Sequence, residues 1–230
     1  MPRPRDRQLA ASALAVVAAA LLAVAGVASA PLPRAVFETD PSALDAFAAL
    51  LDARDRGTWL VDFAFDRELA GGAHRRESIT EAQVPPTRVL VSATAATVDL
   101  GSRRVVCTAT DGAASCRRDT GTAGALPASS VYREAVTRGV YALRSGPDRR
   151  VASEEARCFE LVAVTGAIDG LGLAAVHCFA ADGVPLWTRV AHAGSIDTRE
   201  ARVVTRSVSR RALAELLDPF LEGEAIDELA

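Results

Sequence analysis

From residue 9 to residue 30 the chain carries no charged side chain, and Arg3, Arg5 and Arg7 stand just before this stretch. A basic start, an apolar run and small residues at Ala28-Ser29-Ala30 predict a secretory signal. At ~1.5 Å per residue the same run would also cross a ~30 Å hydrocarbon core, so a cleaved signal and an uncleaved membrane anchor both fit. Pro31, directly after the small residues, disfavours cleavage at that point. Beyond a Pro-marked linker, Asp40-Pro41 predicts a helix start, an acidic cap followed by proline at the first helical position. Leu44, Phe47, Ala48 and Leu51 then recur on one face, which predicts an amphipathic helix ending near Arg56-Gly57.

The period changes to two at Trp59. Trp59, Val61, Phe63 and Phe65 fall on one side of a predicted strand, with Asp62 and Asp66 on the other. Further short strands are predicted over 78–84, 87–92, 96–100, 103–110 and 113–118. They are joined by tight turns at Gly71-Gly72, Pro85-Pro86, Gly101-Ser102 and Asp111-Gly112. Parallel neighbours would need crossovers of about a dozen residues, so these strands form an antiparallel meander. Loop-like residues 121–127 precede a predicted helix over 130–143, where Tyr132, Val136, Val140 and Leu143 have helical spacing. Strands are predicted again over 157–165, 173–179, 185–192 and 201–209, then a short helix over 210–217. The organisation expected is a signal or anchor over 1–30, a linker over 31–39, one α+β domain over 40–217 and an acidic tail over 218–230.

The four cysteines, Cys107, Cys116, Cys158 and Cys178, fit an exported domain held by disulfides. Asp111-Gly112 is a strong two-residue hairpin turn. Pairing about it sets Cys107 opposite Cys116 at a non-hydrogen-bonded position, where Cα atoms are about 4.5 Å apart and a disulfide can close. Cys158 and Cys178 then form the second bridge. There is no C-x2-C pair and the histidines, His74, His177 and His192, are scattered, so neither a metal site nor a redox pair is expected.

Composition narrows the function classes. The chain has 230 residues, 50% of them hydrophobic and 24% charged, which suits a folded domain rather than a disordered one. Its 26 basic residues, all arginine, stand against 29 acidic ones. With a net charge of −3 and no long basic run, nucleic acid is not an expected partner. Without lysine there is no Schiff base, Ser-x-x-Lys nucleophile or P-loop. No G-x-S-x-G, H-E-x-x-H or G-x-G-x-x-G pattern occurs either. Asp62/Asp66 and Glu154/Glu155 read as solvated carboxylates, and His177 and His192 as structural or surface histidines. The chain is therefore read as a non-enzyme without a cofactor.

The order of elements, the strand from Thr58 to Phe63 after a helix, and the segment Cys178-Phe-Ala-Ala-Asp-Gly-Val-Pro-Leu-Trp187 together resemble the bacterial lipoprotein-carrier (LolA-like) superfamily. This superfamily includes lipid-binding lipoproteins and the sensing domains of anti-sigma-factor regulators. The resemblance spans residues 40 to 217. It implies a curved antiparallel half-barrel whose inner face is covered by helices over an apolar cavity that holds acyl chains. A covering helix held by burial alone could lift to admit such a chain. On that reading Trp59, Val61, Phe63, Phe65, Phe159, Leu161 and Trp187 are the candidate cavity residues, and Leu44, Phe47 and Leu51 form the lid. The same residues would equally serve as an ordinary packed core. The expected role is extracytoplasmic binding of a lipid or another hydrophobic molecule, by a protein either secreted or anchored in the cell membrane through its N-terminal segment. The alternatives are a membrane-tethered sensor domain that binds a membrane protein and, less favoured, a secreted enzyme. The paired cysteines and the missing lipid-attachment cysteine depart from the classical carriers.

Overall fold

The computed structural model describes residues 38–100, 103–110, 113–119, 129–168 and 170–221. The expected N-terminal signal or anchor, most of the linker, the turns at Gly101-Ser102 and Asp111-Gly112, the 121–127 loop and the tail from residue 222 lie outside them. Among the described residues no helix is long and apolar enough to cross a membrane.

Helix α1, Pro41–Arg56, begins where the pattern predicts. The Asp40 carboxylate accepts the Ser42 N–H at 2.9 Å, and Pro41 fills a position whose N–H would have no helical partner. The first half of the sheet follows as β1 (Trp59–Leu69), β2 (His74–Val84), β3 (Thr87–Val91), β4 (Ala95–Asp99), β5 (Arg104–Thr110) and β6 (Ala113–Asp119). Helix α2 (Ser129–Thr137) separates it from β7 (Tyr141–Ser145), β8 (Arg149–Val151), β9 (Glu154–Ala163), β10 (Ala174–Phe179), β11 (Pro185–Ala191) and β12 (Ser195–Thr205), and α3 (Arg210–Leu221) follows. All pairings are antiparallel. The order is β6-β5-β4-β3-β2-β1-β12-β11-β10-β9-β7, with β8 beside β9. The sheet is open, a curved α+β half-barrel in which the first and last strands meet at the centre.

Several elements differ from those expected: β2 begins at His74 rather than residue 78, β9 runs from Glu154 to Ala163, and the short β8 was not expected. The helix expected over 130–143 stops at Thr137, because Gly139 turns the chain in a left-handed conformation (φ 69°) that favours glycine. Tyr141 and Leu143 then point inward from a strand, an alternation that four residues of helical spacing had concealed. The strand expected over 201–209 starts six residues earlier and ends four earlier, because pairing with β1 sets Ser195 opposite Leu69. Helix α3 continues past residue 217 to Leu221, so residues 218–221 belong to the helix.

Both disulfides join directly opposed residues of neighbouring strands: Cys107–Cys116 across β5 and β6, and Cys158–Cys178 across β9 and β10. Cys158 and Cys178 are buried, in an apolar cluster that also holds Val151, Ala156 and Trp187. Their bridge closes a loop with a sequence separation of 20, for which chain entropy suggests about 3 kcal/mol. Replacing both by alanine is expected to lower stability by about that amount in urea denaturation under non-reducing conditions. An unchanged midpoint would show that the bridge adds nothing.

Candidate functional site

The strand registers define the two faces. Call the side of Trp59, Val61, Phe63 and Phe65 the inner face. Pairing carries it to Ile79, Glu81 and Gln83 on β2, Leu90 and Arg88 on β3, and Thr97 on β4. In the other direction it reaches Arg199 on β12, Thr188 on β11, His177 on β10 and Phe159 on β9. Six of the seven cavity candidates lie on this face. Trp187 does not: it is opposite Cys178 and Glu200 on the outer face, where the Arg149 guanidinium stacks 4.1 Å from its ring. The expectation for Trp187 is thus corrected, since the strand phase that turns Leu186 inward turns Trp187 out.

The helices divide the sheet between them. Helices α1 and α2 cover the inner face over β7, β9 and β10. There Phe47, Leu51, Tyr132 and Val136 pack with Phe159, Leu161 and Phe179, while Leu44 lies half-buried at the margin. The Phe47 ring centroid is 5.2 Å from that of Phe159 and 5.4 Å from that of Tyr132. Helix α3 instead covers the outer face of the first half, packing Leu213, Leu217 and Phe220 on Ala82, Val89, Val98 and Val105. Helix α1 is held by more than burial. The Trp59 indole N–H and the Gln83 amide both donate to the Arg54 carbonyl, at 3.2 and 2.6 Å, and Gln83 also donates to that of Gly57 at 3.0 Å. These directional bonds tie the last turn of α1 to the sheet, a fastening that the amphipathic pattern did not reveal.

Among the described residues, neither α1 nor α2 packs upon a stretch of inner face on β1–β4. Beside Phe65 it forms a groove of about 170 Å³, with Ile79, Leu90 and Ala95 as apolar walls and Glu77 and Arg199 as charged ones. Phe65 and Ile79 are buried, and Leu90 and Ala95 are half-buried at the opening. Of the cavity candidates, Phe65 alone lines this groove; Phe159 and Leu161 are sealed under α1 and α2, and Trp59, Val61 and Phe63 lie in the packed centre.

A charged seam adjoins the groove. The Glu81 carboxylate is only 2% exposed, with Arg88 Nε at 3.7 Å and Arg199 Nη1 at 3.6 Å. Neither oxygen accepts a hydrogen bond among the described residues. A cleft of about 10 Å³ lies between Glu81, Arg88, Asp99 and Arg199. Burial holds the Arg88 guanidinium below its usual range, against the pull of Glu81. Farther along, burial and then the charges of Arg54 and Arg199 push His177 down to about 3, so its imidazole is neutral. Its Nε2 lies 3.4 Å from the Tyr132 hydroxyl, which burial raises to about 12. His74 faces Asp66 at 3.0 Å, and His192 faces Asp197 at 3.7 Å, two residues along β12 from Arg199. Among the described residues no group of His, Cys, Asp and Glu is placed to hold a metal ion.

Glu81 was missed as a site residue because the 78–84 segment has apolar residues on both faces, and Arg88 and Arg199 because only the pairing of β3 and β12 with their neighbours brings them to its side. The only signal was the parity that carries Val61 to Glu81, and it requires the strand register.

No family model and no curated protein matches the chain. Among solved structures it is similar to MucB in the MucA/MucB complex of Pseudomonas aeruginosa, at 15% identity and a TM-score of 0.49, over 82% of this chain and 60% of that one. It is also similar to lipoprotein LppX of Mycobacterium tuberculosis, at 12% identity and a TM-score of 0.42, over 74% and 99%. A LolA superfamily protein of Nitrosomonas europaea matches at 8% identity and a TM-score of 0.34, over 72% and 95%. The chain spans about three-fifths of the MucB structures that it matches. The resemblance to lipoprotein-carrier proteins expected from the sequence is found again, remotely and at the level of fold.

Proposed function

We propose that this chain is a non-enzymatic, extracytoplasmic binding domain that holds the apolar part of a lipid or similar molecule against the inner face beside Phe65. The groove beside Phe65, with Ile79, Leu90 and Ala95 in its walls, carries this reading. An apolar recess edged by a few polar groups is the usual form of a small-molecule site. Two disulfides support the compartment, since such bonds persist where conditions are oxidising. The N-terminal segment, secreted signal or anchor, would bring the domain to or across the membrane.

An acyl chain in the groove gains roughly 0.8 kcal/mol for each buried CH₂. Filling the groove should therefore remove binding without opening the core. Ala95→Phe places a ring at the half-buried mouth and is expected to weaken uptake of a fluorescently labelled fatty acid by about tenfold or more, with circular dichroism unchanged. Absence of any uptake by the native protein would overturn the proposal, and so would a stoichiometric protein partner recovered from membranes while the groove stays empty.

A further inference from the structure

We infer that the groove selects an amphiphile by an anionic head, a carboxylate or a phosphate monoester received by Arg199, while the chain lies on Phe65, Ile79, Leu90 and Ala95. This rests on the groove being a binding site and adds the chemistry it prefers. Arg199 lines both the apolar groove and the small cleft at Glu81, so its guanidinium stands where an apolar wall gives way to the charged seam. Glu77, the acidic residue of the groove, lies 3.5 Å from Arg75, which moderates its repulsion of an anion.

Glu81 supplies the second observation. A carboxylate buried to this degree normally accepts hydrogen bonds, and this one has none from the described residues. Arg88 and Arg199 neutralise it through charge, at distances beyond hydrogen bonding. Glu81 is thus an internal counter-ion, holding Arg199 against the seam with a contact that an incoming anion can better. A guanidinium donates to carboxylate or phosphate oxygens in a two-pronged geometry, and such charge-assisted bonds are stronger than neutral ones. The ligand anion would take Arg199, and Glu81 would keep Arg88. A neutral alcohol of the same chain length gains little from that exchange.

The test uses the purified full chain with octanoate, octyl phosphate and octanol, measured by calorimetry. At least one anion is expected to bind about tenfold or more tightly than octanol, and which one does so distinguishes a carboxylate from a phosphate head. Arg199→Gln should reduce anion binding to the octanol level. Glu81→Gln, which removes the competing charge, should raise anion affinity several-fold and leave octanol unchanged, so the test survives if Arg199→Gln does not fold. Equal binding of octanol and both anions would overturn the anionic-head preference while leaving the groove intact. Binding of none of the three would overturn the groove itself.

Discussion

Phe47→Ala is expected to destabilise the domain by about 3–5 kcal/mol, the range for removing a fully buried aromatic ring. Phe47 is 1% exposed, and its ring meets side chains from α2, β9 and β10 at once. Tyr132 comes from α2, Phe159 from β9, and His177 and Phe179 from β10. These neighbours are anchored in a backbone that cannot close over the missing ring, so the deletion leaves a cavity as well as lost apolar burial. Leu44→Ala, one turn away at the half-buried margin, is expected to cost less than half as much. Urea denaturation of both variants measures the difference, and equal midpoints would show that α1 is not keyed into the sheet through Phe47. The result also bears on how a ligand enters. With Phe47 packed on four rings and the end of α1 bonded to Trp59 and Gln83, lifting this helix would break both kinds of contact. The groove at Phe65 needs no such opening.

Much of the scaffold was legible because it depends on local periodicity. The two-residue repeat from Trp59 to Phe65, the Asp40-Pro41 start and the Asp111-Gly112 spacing each specify a neighbourhood of a few residues. The first of these defines the inner face, the second starts α1, and the third sets Cys107 opposite Cys116. The meeting of β1 with β12 was not legible, because no local signal pairs the two ends of a chain. That long-range pairing decides which side Arg199 and Trp187 occupy. Trp187 looked inward from its bulk alone, yet the register turns it out over the Cys158–Cys178 bridge. Glu81 carries no local sign of burial, which follows from Val61 on one side and Leu90 on the other. The apolar part of the candidate site could be glimpsed through Phe65, but its charged end is a property of the assembled sheet.

The seam that contains Glu81 also gives the fold a pH dependence. His177 is buried on β10, facing Tyr132 from α2, Arg54 from α1 and Arg199 from β12, with Phe47 and Phe179 against its ring. Burial and the two nearby arginines push it down to about 3, whereas an unfolded histidine titrates near 6.5. Between these values the unfolded chain binds a proton that the folded chain refuses, so stability must fall as pH falls. The loss begins near pH 6.5 and amounts to roughly 1.4 kcal/mol for each further pH unit, or about 2–3 kcal/mol by pH 4.5. His177→Phe removes the titrating group and keeps an aromatic ring between Phe47 and Phe179. Its stability should therefore decline much less between pH 7 and pH 4.5 than that of the native chain. Urea denaturation at several pH values gives the two slopes. Parallel slopes would mean that His177 accepts its proton in the folded state, and hence that the seam beneath α1 is open to water rather than sealed.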